Sequence, residues 1–153
     1  MKILRATALI IGSLSLAATL SGCAAVISLE PADLANDPKC AEITVRLPDR
    51  VGGLDKRQTN AQATGAWGDP ASVILRCGLP AVEVSQLLCV TAGDVDWLVD
   101  DSKAPTYRFV TFARNPATEV IVDSKAASGS TVLDELGVAV GSIKATKRCS
   151  SVN

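Results

Sequence analysis

Gln86-Leu87-Leu88-Cys89-Val90-Thr91-Ala92-Gly93-Asp94-Val95-Asp96-Trp97-Leu98-Val99 decides the fold. Gln86–Val90 and Val95–Val99 are apolar runs of strand length, and Ala92-Gly93-Asp94 between them reads as a hairpin turn. Val95, Trp97 and Val99 alternate with Asp96, Leu98 and Asp100, which predicts one buried face. Working outward, Ser72–Arg76, Tyr107–Phe112 and Glu119–Val122 are further runs of this kind, separated by the polar turn Asp100–Pro105 and the break Asn115-Pro116.

The flanks read as helices. Cys40–Leu47 is ambiguous, because Ile43, Val45 and Leu47 alternate like a strand while Cys40, Ile43/Thr44 and Leu47 share a helical face. Asp37 as a cap with Pro38 in the first turn favours a helix that ends near Pro48. Gly52-Gly53 and Gln58–Gly65 read as irregular. After the small-residue loop Lys125–Ser130, Thr131-x-x-Asp134 resembles a capping box, and Val132, Leu136, Val140 and Ile143 line one helical face. Gly137 and Gly141 weaken that helix or allow it to pack closely on a sheet. The expected class is α+β: a mostly antiparallel sheet of about five strands between an N-terminal and a C-terminal helix, stapled by disulfides.

Residues 1–22 read as an export signal. Lys2 and Arg5 precede an apolar run from Ala6 to Leu20, and Ser21-Gly22-Cys23 follows. Leu20-Ser21-Gly22-Cys23 resembles the bacterial lipobox. That resemblance implies diacylglyceryl on the Cys23 sulfur and a mature chain that begins there, 131 residues long (153 less 22). The competing reading is an uncleaved membrane helix extended through Ala24–Leu29. Residues 23–38 then read as a lipidated tether and 39–153 as a single domain.

Without Lys2 and Arg5, 13 basic residues face 16 acidic ones, a formal charge of −3, and no basic run points to nucleic acid. The sequence holds no histidine, which excludes Ser-His-Asp and Cys-His nucleophiles and His-ligated metals. Cys40, Cys77, Cys89 and Cys149 form an even set, the usual mark of disulfides in an exported chain. Three pairings are possible and spacing alone does not choose between them. The expectation is Cys77–Cys89, on the ground that their flanking runs could pair as adjacent strands, with Cys40–Cys149 tying the ends together. A four-thiolate metal site is the sharper alternative, but no C-x-x-C pair supports it. No cofactor and no metal are expected.

The most distinctive stretch runs from Ala66-Trp67-Gly68-Asp69-Pro70 into Leu75-Arg76-Cys77-Gly78. With Cys40 and Leu47-Pro48 before it, and Cys89, Val95-Asp96-Trp97 and Arg114-Asn115-Pro116 after it, the chain resembles a family of actinobacterial exported or membrane-anchored proteins known only as a domain of unknown function. Lys56-Arg57 matches a basic pair of that family, while Ala113 stands where many members carry glycine. The resemblance implies the compartment and the fold and assigns no catalytic residue.

Trp67, Asp69, Arg76, Trp97 and Arg114 are the candidate lining of a polar groove, since an indole face beside arginine and aspartate can hold a sugar or an anionic group. The structural reading makes the two tryptophans core anchors and Gly68-Asp69-Pro70 a turn. Asp94 with Asp96, Asp100 with Asp101, and Asp134 with Glu135 are carboxylate pairs that could serve acid–base chemistry, but they sit at turns and a helix start, where such residues are usually solvated. The expected function is non-enzymatic: a lipoprotein domain outside the cytoplasmic membrane that binds an unidentified envelope component. The alternatives are an enzyme acting on cell-wall polymer through Asp/Glu and Arg, and a small-molecule carrier.

Overall fold

The computed structural model describes residues 25–149, so the export signal and Cys23 lie outside the described residues. The hairpin that decides the fold is present. β5 (Leu88–Ala92) and β6 (Val95–Asp100) pair antiparallel, with Ala92 opposite Val95. The two turn residues Gly93 and Asp94 have φ of 57° and 59°, as a type I′ turn requires. The other three expected runs are β4 (Val73–Leu79), β7 (Thr106–Thr111) and β8 (Ala117–Asp123).

The sheet has eight strands rather than about five. The additional ones are β1 (Arg50–Val51), β2 (Leu54–Arg57) and β3 (Thr64–Trp67). β1 and β2 turn through Gly52 and Gly53, both at positive φ, so the glycine pair read as irregular is a second hairpin turn. β3 is buried at every position but contains Gly65 and Ala66, too small to register as an apolar run. A Cβ on Gly65 would stand 2.8 Å from both Trp67 and Leu47 side chains, so the missing side chain is what lets the indole lie down.

Strand order is β1-β2-β3-β4-β8-β7-β6-β5, antiparallel throughout, which is two four-stranded meanders joined where β4 meets β8. That order corrects the disulfide expectation. β8, β7 and β6 lie between Cys77 on β4 and Cys89 on β5, a separation of roughly 19 Å at one strand spacing each. The bonds are instead Cys40–Cys77, with Cα atoms 5.6 Å apart, and Cys89–Cys149, 6.4 Å apart. The first staples the N-terminal helix to the central strand β4, and the second staples the C-terminal segment to the edge strand β5.

The helices are α1 (Pro38–Thr44) and α2 (Gly129–Val140). Asp37 caps α1 as its spacing suggests, accepting from the Lys39 N–H, and Pro38 opens the first turn. Both helices join one core with the sheet face that carries Trp67, Val73, Leu75, Trp97, Val120 and Val122. α2 buries Val132, Leu136 and Val140, the face expected of it, but Thr131 does not cap it and Ser128 is its N-cap. Asp134 and Glu135 are committed elsewhere. Asp134 Oδ1 accepts from the Gly93 N–H at 2.7 Å and Glu135 Oε2 from the Gly52 N–H at 2.7 Å. One helix thereby holds the hairpin turns of both meanders, and this carboxylate pair is a clamp. The contact is close: a Cβ on Gly137 would stand 2.4 Å from the Gly93 carbonyl oxygen.

The described part of the segment read as a tether packs on the domain from Ala25 onward. The Ala25 carbonyl accepts from Arg57 Nη2 at 3.1 Å, and Ile27 exchanges backbone hydrogen bonds with Gln58 and Asn60. Further on, Leu34 N–H donates to the Gly78 carbonyl, and Ala35 is buried. Gly78 has φ of 114°, and a Cβ there would stand 2.5 Å from the Ala35 nitrogen, which accounts for the glycine that closes the Leu75–Gly78 motif.

Candidate functional site

Two carboxylates are buried on the sheet face away from the helices. Glu119 on β8 is 2 % exposed and lies directly opposite Arg76 of β4. Arg76 Nε donates to Glu119 Oε1 at 2.7 Å and Arg108 Nε to Oε2 at 2.6 Å, so each oxygen holds its own guanidinium. Arg76 also reaches the Glu30 carbonyl, which ties the N-terminal segment to the cluster.

Asp96 on β6 is the second, 3 % exposed. Its Oδ1 accepts from the Thr91 hydroxyl at 2.7 Å, and its Oδ2 from the Cys149 N–H at 2.9 Å with Arg148 Nε 3.4 Å away. The alternation read from the sequence predicted a solvated Asp96 and Leu98. Both are buried, because the C-terminal segment stapled through Cys149 comes back over this end of the sheet.

Arg114 lies close by. It follows Ala113, which adopts φ of 53° at the position where glycine would be usual. Val82 and Thr146 hold the Ala113 backbone from either side. Arg114 is 5 % exposed, its Nη1 donates to the Ile143 carbonyl, and its buried Nε has no partner among the described residues. Burial, and secondarily the charge of Arg148, pull its pKa below the ordinary arginine value, with Asp96 opposing. Arg114 lines a cavity of about 400 Å³ between the Gly93-Asp94 turn, the end of α2 and the C-terminal segment, which Lys144 and Arg148 also line. A second concavity of about 350 Å³ lies at the start of α2, against Tyr107 and Phe109.

The five residues proposed from sequence do not line one groove. Trp67 and Trp97 are fully buried, and their indole N–H groups donate to the Pro48 and Ala92 carbonyls. Asp69 is exposed and pairs with Arg57 at 2.9 Å. Arg76 belongs to the Glu119 cluster, and Arg114 alone reaches a cavity. Of the carboxylate pairs, Asp94 lines that cavity while Asp96 is engaged behind it, and Asp100 accepts from the Ser102 N–H. Sequence reading missed Lys144 and Arg148. Their one signal is three cations, Lys144, Lys147 and Arg148, packed beside a cysteine. Among the described residues no group of three His, Cys, Asp or Glu could hold a metal ion, and no helix is long and apolar enough to cross a membrane.

A family model described as "Protein of unknown function (DUF3515)" matches residues 3–148. None of the curated proteins and none of the solved structures matches the chain.

Proposed function

The chain belongs to that family of unknown function, and from this premise we propose that it is an extracytoplasmic binding domain carried on a lipid at Cys23, close against the outer face of the cytoplasmic membrane. The observation that supports the reading is the packing of residues 25–35 onto the domain. Only Ala24 separates Cys23 from the Ala25 carbonyl that Arg57 holds, and two residues of chain reach at most about 7 Å. A lipid on Cys23 would therefore hold the Arg57–Asn60 edge beside the headgroups instead of letting the domain swing on a spacer. Two disulfides in a chain of this size fit an oxidising compartment. The role is binding of an envelope component rather than catalysis, in keeping with a sequence that has no histidine and with both tryptophans sealed in the core.

Intact mass of the protein from native membrane tests the anchor. A mass beginning at Cys23 with added acyl chains is expected, and in Cys23→Ala an unacylated chain that keeps residues 1–22. An unlipidated full-length mass for the unsubstituted protein would overturn the anchor. Crosslinking in intact cells tests the binding role: no adduct with any envelope fraction would remove it.

A further inference from the structure

We propose that the cavity beside Arg114 is a binding site for a small anionic group, a carboxylate or a phosphate, held by Arg114 and Arg148 with Lys144 at its mouth. The first argument is the state of Arg114. A guanidinium carries five N–H donors and accepts nothing. This one is 95 % buried, spends Nη1 on the Ile143 carbonyl, and leaves Nε without a partner among the described residues. Buried donors are almost always paired, so this guanidinium is under-satisfied at a place where the residue also borders an open space.

The second argument is charge. Arg114 and Arg148 stand near enough for the charge of Arg148 to bear on Arg114, and Lys144 lines the same space. Asp96, through its ion pair with Arg148, and Asp94, which lines the same space, offset two of the three cations and leave an excess of one positive charge. An anion placed among the three cations relieves their repulsion and accepts charge-assisted hydrogen bonds. The third is access: Gly93, Gly137 and Gly141 give part of the cavity wall as bare backbone, close-packed where the turn meets α2. Asp94 and the carbonyl end of α2 work in the opposite direction, so a lone ion is expected to bind at about millimolar strength. This site stands apart from the lipid anchor and does not depend on it.

The test is an amide NMR titration of the full Cys23→Ala chain in detergent micelles with sodium phosphate and, separately, sodium acetate, at pH 7 and constant ionic strength. Saturating shifts at Gly93, Gly137, Gly141 and the Arg114 Nε–H are expected with at least one anion, and the anion that saturates identifies the group. Arg148→Gln should weaken binding about tenfold, the equivalent of one charge-assisted hydrogen bond. Lys144→Gln, on an exposed side chain, gives the same readout with a smaller loss if Arg148→Gln unfolds. Arg108→Gln, in the Glu119 cluster, should leave affinity unchanged. Linear shifts without saturation to about 100 mM in both anions, or equal losses in the Arg108 and Arg148 variants, would overturn the site.

Discussion

Glu119 and Asp96 occupy the same face of one sheet, are almost equally buried, and are both met by arginine, yet the networks around them end differently. Around Glu119 the network closes. Two oxygens meet two guanidiniums, Arg76 from the neighbouring strand β4 and Arg108 from the neighbouring strand β7. Around Asp96 it stays open. The carboxylate is used up by Thr91, Cys149 and Arg148, while Arg114 beside it keeps an unpartnered Nε and faces a cavity. A buried polar cluster that satisfies itself stabilises and fixes strand register; one that leaves a donor over has capacity for something else. The origin of the difference is topological. The Glu119 partners come from adjacent strands, whereas Asp96 and Arg114 are served by a C-terminal segment held from outside the sheet by the Cys89–Cys149 disulfide, the Thr146–Ala113 and Cys149–Asp96 hydrogen bonds and the ion pairs of Lys147 and Arg148.

The largest expected effect breaks that hold. Cys89→Ser with Cys149→Ser removes a bridge across 60 residues, worth about 4 kcal/mol in the chain-entropy model and measurable by denaturant unfolding. Anion binding at the cavity should weaken in the variant even where the fold persists, because the segment carrying Lys144 and Arg148 then rests on its hydrogen bonds and ion pairs without the covalent staple. If binding is unchanged, the cavity does not depend on the staple. Removing the Cys40–Cys77 bridge, which closes 37 residues, should cost nearly as much stability and leave the cavity intact.

Glu119→Gln comes next, with an expected loss of about 2–3 kcal/mol. The amide can serve one arginine through its oxygen but turns an NH₂ toward the other. Arg76 and Arg108 side chains are 34 % and 39 % exposed and can turn to water, which keeps the loss from being larger. Asp96→Asn should cost less, about 1 kcal/mol, since the Arg148 pair it removes is long and Arg148 is 60 % exposed. Its effect on binding has the opposite sign: freeing Arg148 should tighten phosphate or acetate binding several-fold, whereas Glu119→Gln should not alter it. Equal responses in the two variants would erase the distinction between a closed and an open network.

The same contrast separates what was legible from what was not. β4 to β8 could be read because they are runs of branched and aromatic side chains interrupted by real turn residues, and α1 because Asp37 and Pro38 mark its start. β1 to β3 could not, because Gly52-Gly53, Gly65 and Asp55-Lys56-Arg57 contribute backbone pairing and room for Trp67 rather than an apolar pattern. The disulfide pairing failed for a non-local reason: β4 and β5 are consecutive in sequence, but β8, β7 and β6 stand between them in the sheet. Arg114 was among the candidates, but its companions arrive through the C-terminal segment, and no local pattern places residues 144–148 against residue 114. The tryptophans misled in the other direction, since the residue types that make a sugar-binding face are also those a small core buries first.

Asp100 supplies the smallest effect and a third term to the comparison. It stands opposite Arg108 across β6 and β7, so it faces the same guanidinium that closes the Glu119 cluster. Its pKa lies below the ordinary carboxylate value, first through the Ser102 hydroxyl, then through the Ser102 N–H, with Arg108 contributing less. A carboxyl whose folded-state pKa is depressed adds stability above its unfolded pKa and loses it as pH falls through the folded value, so the contribution fades only in the acid range below ordinary carboxylate titration. Asp100 is partly exposed at the end of β6, and the change in global stability should be too small to resolve. Carboxyl NMR titration resolves it directly. Ser102→Ala should raise the Asp100 pKa toward the ordinary value, and Arg108→Gln should raise it less. If Arg108→Gln has the larger effect, Arg108 belongs to Asp100 as much as to Glu119, and the Glu119 network is open after all.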